Sequence, residues 1–452
     1  MLRVKEKIRE KNTLNKEVKM QYKYNLLGGE GQAVSTAKER WVEGVVERLR
    51  ESLESLYDEL EGEEVEFERI EESFRDVFME AGRVSMEEFL ARRDGYIGRV
   101  KECRCGGELE FHSYRDRGIV SLLGVVRVRR AYYYCRSCGR SFIPFDERNG
   151  FKGSSFSLRV REIATKLGSS LTFRESSEIL RDLGIEISSS QLRRFTEGFG
   201  GYIFGEVSSG GILFGGGEIE GEMYVEADGT EVRTLSGFKE AKLGVIFDGD
   251  KSRVRYLGSF LGSERFGDIL WRGSEVLGVG RSDRVIVIGD GARWIWNISL
   301  TNYPGSIEVV DFYHACEHLW EVGRVFYGEG SKGCKEWAER EVENLRDGKV
   351  EVVLEDMRSL MGVKKDLDEL LEREIGYFSG NRDRMRYDDF LKMGLSIGSG
   401  VVESGCKHVI GIRLKRPGMR WKLENAESIL QVRIANLNGS FDEYWEGYRK
   451  AA

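Results

Sequence analysis

Residues 223–230 read MYVEADGT, a β-branched and aromatic run that ends in Asp228 and a Gly. The pattern predicts a strand with a carboxylate projecting from its end. A second run, VIVIGDGARWIWN over 285–297, repeats the arrangement and closes its strand at Asp290. A third acid, Glu403, lies in IGSGVVESGCK (397–407), which reads as the start of a helix. Taken singly, Asp228-Gly229 and Asp290-Gly291 are also favoured turn pairs. Taken together, three carboxylates in one place need a divalent cation, because like charges in contact otherwise force one another to take up protons. Two Mg²⁺ ions about 3.5–4 Å apart in such a nest suit phosphoryl transfer on nucleic acid.

Further strands are predicted at Ala241–Phe247, Val254–Leu261 and Ile307–Val310, the last leading into Asp311. Strands come first in a meander and then alternate with helices, which predicts an α/β catalytic domain. Asp311 rivals Asp290 for second acid, since it too follows a strand. With His314 it is assigned an auxiliary role, positioning the site or contacting the polymer near the scissile bond. The alternative is a hydrogen-bonded turn at a strand-to-helix junction. Between Asp311 and Glu403 the periodicity is helical, which predicts an insertion into the α/β domain.

The chain has 452 residues, 40% hydrophobic and 33% charged, enough for several domains with a sizeable core. A net charge of −7 argues against uniform coating of nucleic acid, but binding depends on local basic surfaces. No apolar run approaches a membrane span, and the basic start MLRVKEKIREKNT lacks the apolar segment of a secretory signal. A cytoplasmic protein with reduced thiols is expected, associated with the nucleoid when bound to DNA.

Cys103-x-Cys105 and Cys135-x-x-Cys138 each precede a Gly, and GVVRVRRAYYYC between them alternates like a strand. Two such knuckles make a zinc ribbon with four thiolate ligands. The first pair is tighter than the usual C-x-x-C, so His112 stands as a substitute ligand and unligated core thiols as the bland reading. Cys316, Cys334 and Cys406 have no ligand spacing and read as small core residues. From Ser157 to Gly200 the helical pattern and the N-cap at Ser188–Ser190 suggest a helix-turn-helix presenting Arg193 and Arg194 to DNA, although such pairs also serve as plain packing units. From Lys407 to Lys422 there are six Lys or Arg and no acid. Lys407, Arg413, Lys415, Arg416 and Arg420 are expected to grip phosphates, with Trp421 available for stacking.

Seven stretches carry a resemblance to a known family: EADGT, KEAKLGVIFDG, GDGARWIWN, VVDFYHACEHLW, NRDRMRYDDF, IGSGVVESGCKHVIGIRLKRPGMRW and AESILQVRIANLN. Together they resemble the DDE transposases of prokaryotic insertion sequences, in particular the ISKra group. The resemblance implies an α/β, multi-domain chain: a helical arm (1–95), a zinc-ribbon-like module (96–150), a helix-turn-helix-like region (151–210), and an RNase H-like catalytic domain (218–314 and 396–452) interrupted by an all-helical insertion (315–395). It places the acidic triad on Asp228, Asp290 and Glu403, with Asp228 bridging two Mg²⁺ (or Mn²⁺) ions and the others holding one each. Phosphodiester hydrolysis at the transposon ends, then strand transfer into target DNA, is the implied reaction. The implied partners are double-stranded DNA, as terminal repeats and as target, and a second copy in a homodimer or higher oligomer. A transposase-derived DNA-binding protein without catalysis and a structure-selective nuclease are the alternatives.

Overall fold

The computed structural model describes residues 36–61 and 64–451, so the first part of the expected helical arm lies outside the described residues. The chain divides into two units at Asp94/Gly95. The first is a helical hairpin of α1 (Ala37–Leu60) and α2 (Phe67–Ala91). Thr36 and Glu39 form a reciprocal capping box that starts α1. Within the hairpin Trp41 donates from Nε1 to the Ser85 carbonyl (3.3 Å) and packs against Phe89.

The second unit begins with a four-stranded antiparallel sheet in the order β1 (Val100–Glu102), β2 (Glu108–Ser121), β3 (Gly124–Cys135), β4 (Ser141–Phe142). After the short α3 (Pro144–Asn149), helices α4 (Leu158–Ser170), α5 (Phe173–Asp182) and α6 (Ser189–Ser209) follow. Ser157, Thr172 and Ser188 cap them, each hydroxyl accepting an N–H three residues on.

A five-stranded mixed sheet forms the centre of this unit. Strands β5 (Glu222–Thr234), β6 (Gly237–Asp248) and β7 (Val254–Ser259) make an antiparallel meander. Helix α7 (Ser263–Val276) leads to β8 (Arg284–Gly289), and α8 (Arg293–Asn302) leads to β9 (Ile307–Val310). Both β8 and β9 run parallel to β5, giving the order β7-β6-β5-β8-β9. The central strand β5 is buried on both faces from Met223 to Ala227, which explains its nearly unbroken apolar run. Glu226 is the exception.

Helices α9 (Phe312–Tyr327), α10 (Lys332–Arg346), α11 (Val350–Ser359), α12 (Asp368–Asn381) and α13 (Tyr387–Lys392) come next. The chain then returns to the sheet through α14 (Gly400–Gly405), a π-helical turn over Cys406–Gly411 and α15 (Ile412–Leu414). Helices α16 (Leu423–Leu437) and α17 (Phe441–Ala451) close the chain. Glycines permit the closest contacts on both sheet faces. A Cβ at Gly244 would strike Leu270 of α7, and one at Gly405 would strike Leu243 of β6. At Gly200 a Cβ would lie 1.9 Å from the Ser428 carbonyl, so α6 and α16 cross backbone against backbone. The helices of 151–210 are thereby built into the core of the α/β unit.

Candidate functional site

The register of the parallel strands decides where the acids fall. Glu226 of β5 pairs with Ile288 of β8, and Ile288 pairs with Val309 of β9. Two residues beyond that rung stand Asp228, Asp290 and Asp311, so side-chain alternation points all three to the same side. Neighbouring strands are about 4.8 Å apart, which puts Asp290 next to Asp228 and Asp311 one strand farther away. Helix α14 brings Glu403 over the same strand ends. All four acids line one open cleft of about 290 Å³, together with Ala227, Tyr313, His314, Glu317 and Ser399. Among the described residues no Lys or Arg lines it. Burial, reinforced by the charge of Asp290, pushes the Asp228 carboxyl above its usual range. A cation would relieve that penalty. Among the described residues only the four thiols bring three or more possible ligand atoms all within 4.8 Å of one another, so the acids do not form such a preassembled set.

The acids differ in what holds them. Asp290 accepts the Ala292 N–H at 2.8 Å through Oδ1, and the Tyr377 hydroxyl of α12 donates to its carbonyl at 2.9 Å. Asp311 is saturated. Its Oδ1 caps α9 at the His314 N–H (3.0 Å), while its Oδ2 accepts the Ser399 N–H (2.6 Å) and the Ser399 hydroxyl. That satisfies the hydrogen-bonded-turn alternative for Asp311 and leaves Asp290 the freer carboxylate. Glu403 is largely exposed and pairs with Lys407 at 2.7 Å. His314 lines the cleft with Nδ1 3.6 Å from Glu317, and its ring meets His318 edge-on. His318 stacks on Tyr377, and its Nδ1 lies 2.6 Å from the buried Glu374.

Two residues of this site have no counterpart among the expected ones. Cys406, expected to be a small core residue, is indeed buried but lies beside the site, and burial, together with the Asp228 charge, raises its pKa. Glu226 is wholly buried, and burial pushes its carboxyl up to about 8. Its Oε2 accepts the Val402 N–H at 2.7 Å, while Oε1 has no partner. A charge inside an otherwise apolar central strand was the available signal.

The basic tract divides. Lys415 is exposed and reaches Thr230 Oγ1 at 2.9 Å; Arg420 is exposed, with no partner among the described residues. Arg416 is partly buried in an ion pair with Glu175 (2.7 Å), and Lys407 pairs with Glu403. Arg413 does not belong to a phosphate grip. It is fully buried, donates to the Gly168 carbonyl at 3.0 Å, and lies 4.7 Å from the Phe173 ring centre and 5.1 Å from that of Trp421. Trp421 is likewise buried, its Nε1 donating to the Leu414 carbonyl at 2.9 Å, so it offers no stacking face. The alternation of basic and apolar residues reflects a helix end folded into the core. Arg193 and Arg194 are exposed on the first turns of α6, Arg193 lying 3.8 Å from Glu197.

The four cysteines of 103–138 gather at one end of the β2–β3 ribbon, with all sulfurs within 4.8 Å of one another. Cys103 and Cys138 are 3.7 Å apart, as are Cys105 and Cys135. Tetrahedral thiolates about 2.3 Å from zinc would stand about 3.8 Å apart, so the set fits zinc. Hydrogen bonding from the Cys138 backbone N–H lowers the Cys135 thiol to about 7, which favours the thiolate a metal needs. The C-x-C pair is thus geometrically competent. His112, on a strand bulge beside Ser113, is outside the cluster.

Residues 60–446 match UPF0236, described as an uncharacterised protein family. The chain belongs to the UPF0236 family. It is 26% identical over 361 residues to the "UPF0236 protein in vanSb 3'region" of Streptococcus gallolyticus, covering 74% of this chain and 76% of that protein. The UPF0236 match takes in the cysteine cluster, the α/β sheet and all five acids that line the cleft, Asp228, Asp290, Asp311, Glu317 and Glu403. Among the described residues no helix is long and apolar enough to cross a membrane.

Proposed function

We propose that this UPF0236 chain is a DDE-type DNA transposase that hydrolyses phosphodiesters at the ends of an insertion sequence and transfers the strands into target DNA. The observation that carries the reading is the convergence of Asp228, Asp290 and Glu403 on one cleft that, among the described residues, no Lys or Arg lines. The sheet order β7-β6-β5-β8-β9, with the first three strands antiparallel and the last two parallel to β5, supports an RNase H-like domain. The helices of 312–392, set between β9 and the Glu403 helix, support an insertion into that domain.

In this reading Asp228, Asp290 and Glu403 hold Mg²⁺ or Mn²⁺, which supplies Lewis-acid activation and offsets phosphate charge. Asp311 holds the Ser399 turn, and His314 faces the DNA beside the scissile bond. Lys415, Arg416, Arg420, Arg193 and Arg194 contact phosphates of the double-stranded terminal repeats or target. The four cysteines hold zinc as a structural ion. Cutting two ends calls for at least a homodimer on DNA, in the cytoplasm at the nucleoid.

The test is cleavage and strand transfer of a labelled duplex carrying the element's terminal repeats, with Mg²⁺ or Mn²⁺. Cut and joined products should disappear in Asp228→Ala, Asp290→Ala and Glu403→Ala. Products that are cut but never joined identify a nuclease. Binding without cleavage under either metal identifies a DNA-binding derivative. An active Asp290→Ala beside a dead Asp311→Ala moves the second acid to β9.

A further inference from the structure

We infer that Glu226 is a positioning residue for the third acid, setting through the Val402 N–H where the Glu403 helix sits against β5. The inference rests on the reading of Asp228, Asp290 and Glu403 as the cation-holding set.

The exposed Glu403 side chain has Lys407, one turn along the same helix, as its ion-pair partner. An ion pair within one helix cannot fix that carboxylate relative to Asp228 and Asp290. Its placement therefore comes from the backbone of α14. The first N–H groups of a helix have no partners within it, and Ser399 at the N-cap supplies no side-chain cap to α14. Two acids from the sheet take that place. Asp311, just past β9, accepts the Ser399 N–H at 2.6 Å, and Glu226, within β5, accepts the Val402 N–H at 2.7 Å. The two strands flank β8, which carries Asp290. The helix start is thus held at two points, one on each side of the second acid. Val402 is the residue immediately before Glu403.

Glu226 is poorly explained as a stabiliser of the fold. It is fully buried among Met223, Tyr224, Val225 and Ala227, and one of its oxygens lacks a partner. A well-packed apolar side chain of the same length is often at least as stable as a buried acid. A carboxyl placed there on the Val402 N–H points to placement of α14.

The test separates these roles with Glu226→Met, Glu226→Gln and Glu226→Asp in the zinc-loaded full chain. Mn²⁺ affinity is read from the free-ion electron paramagnetic resonance signal, beside the melting temperature. Glu226→Met keeps the volume but removes the acceptor. It should melt at or above the wild-type temperature yet bind Mn²⁺ about tenfold more weakly, the usual scale for loss of a ligand-orienting partner. Glu226→Gln keeps an acceptor oxygen and should stay within about twofold of wild type. Glu226→Asp withdraws the acceptor by one methylene and should weaken Mn²⁺ in the same direction, which covers a failure of the Met variant to fold. In a Glu403→Ala background none of the three should weaken binding further. Wild-type Mn²⁺ affinity in Glu226→Met and Glu226→Asp overturns the inference, as does a further loss in the Glu403→Ala background. Wild-type Mn²⁺ binding indifferent to Asp290→Ala overturns instead the reading of the cleft on which the inference rests.

Discussion

Arg413→Met and Arg420→Ala form a pair whose outcomes should be opposite, although both arginines belong to the same basic tract. Arg413 is buried against Gly168 of α4, Phe173 of α5 and Trp421, and burial lowers its pKa to about 10, with Arg416 and Arg433 adding to the effect. It stays charged at neutral pH. Against the ordinary value of 12.5, that shift corresponds to a desolvation cost of about 3 kcal/mol. Its hydrogen bond to the Gly168 carbonyl offsets about 2 kcal/mol. The contacts with the Phe173 and Trp421 rings offset about 3 kcal/mol more in a desolvated setting. Met retains the aliphatic volume and loses these polar terms, for a net destabilisation of about 2 kcal/mol. Ala also gives up about three buried methylenes, raising the loss to about 4–5 kcal/mol. Calorimetry should therefore show Arg413→Met melting about 3 °C below wild type and Arg413→Ala lower still. Below the melting transition, Arg413→Met should bind a DNA duplex with wild-type affinity and salt dependence. Arg420→Ala should melt like wild type, bind more weakly, and reduce the slope of log affinity against log salt by about 1. Unchanged melting in Arg413→Met, combined with weakened and less salt-dependent binding, would refute the assignment of Arg413 to the core.

Two other outcomes follow from particular contacts. The purified chain should carry one zinc per molecule, released by a strong chelator or by Cys135→Ser and counted with a colorimetric indicator; a metal-free chain with four titratable thiols in that cluster refutes the centre. Gly200→Ala should lower the melting temperature by the equivalent of about 2 kcal/mol or more, because the new methyl meets the backbone of a buried helix. Gly205→Ala, on the same helix with open space around it, should instead gain about 0.5–1 kcal/mol. Equal behaviour of the two variants would show that α6 and α16 do not cross as described.

Acids beside strands are legible in sequence because a β-branched run followed by Asp states the element and marks the acid. Asp228, Asp290 and Asp311 each follow such a run; Asp290 and Asp311 stand just past β8 and β9, whereas β5 runs on beyond Asp228 to Thr234, so the strand end expected at Asp228 is not there. What a linear reading cannot supply is the direction in which a charge points. The run from Lys407 to Lys422 looks like a cationic surface, yet a π-helical turn at Cys406–Gly411 rotates the helix that follows, and Arg413 faces inward while Lys415 faces out. Nor does sequence separate a carboxylate that binds from one that braces. Asp290 and Asp311 each directly follow a strand, and only the Ser399 N–H and hydroxyl, some ninety positions away in the chain, occupy the second oxygen of Asp311. The division of labour at this cleft is therefore a long-range property. Asp311 and Glu226 both bond the start of the helix that carries Glu403, which in the proposed reading leaves Asp228, Asp290 and Glu403 to hold the cations.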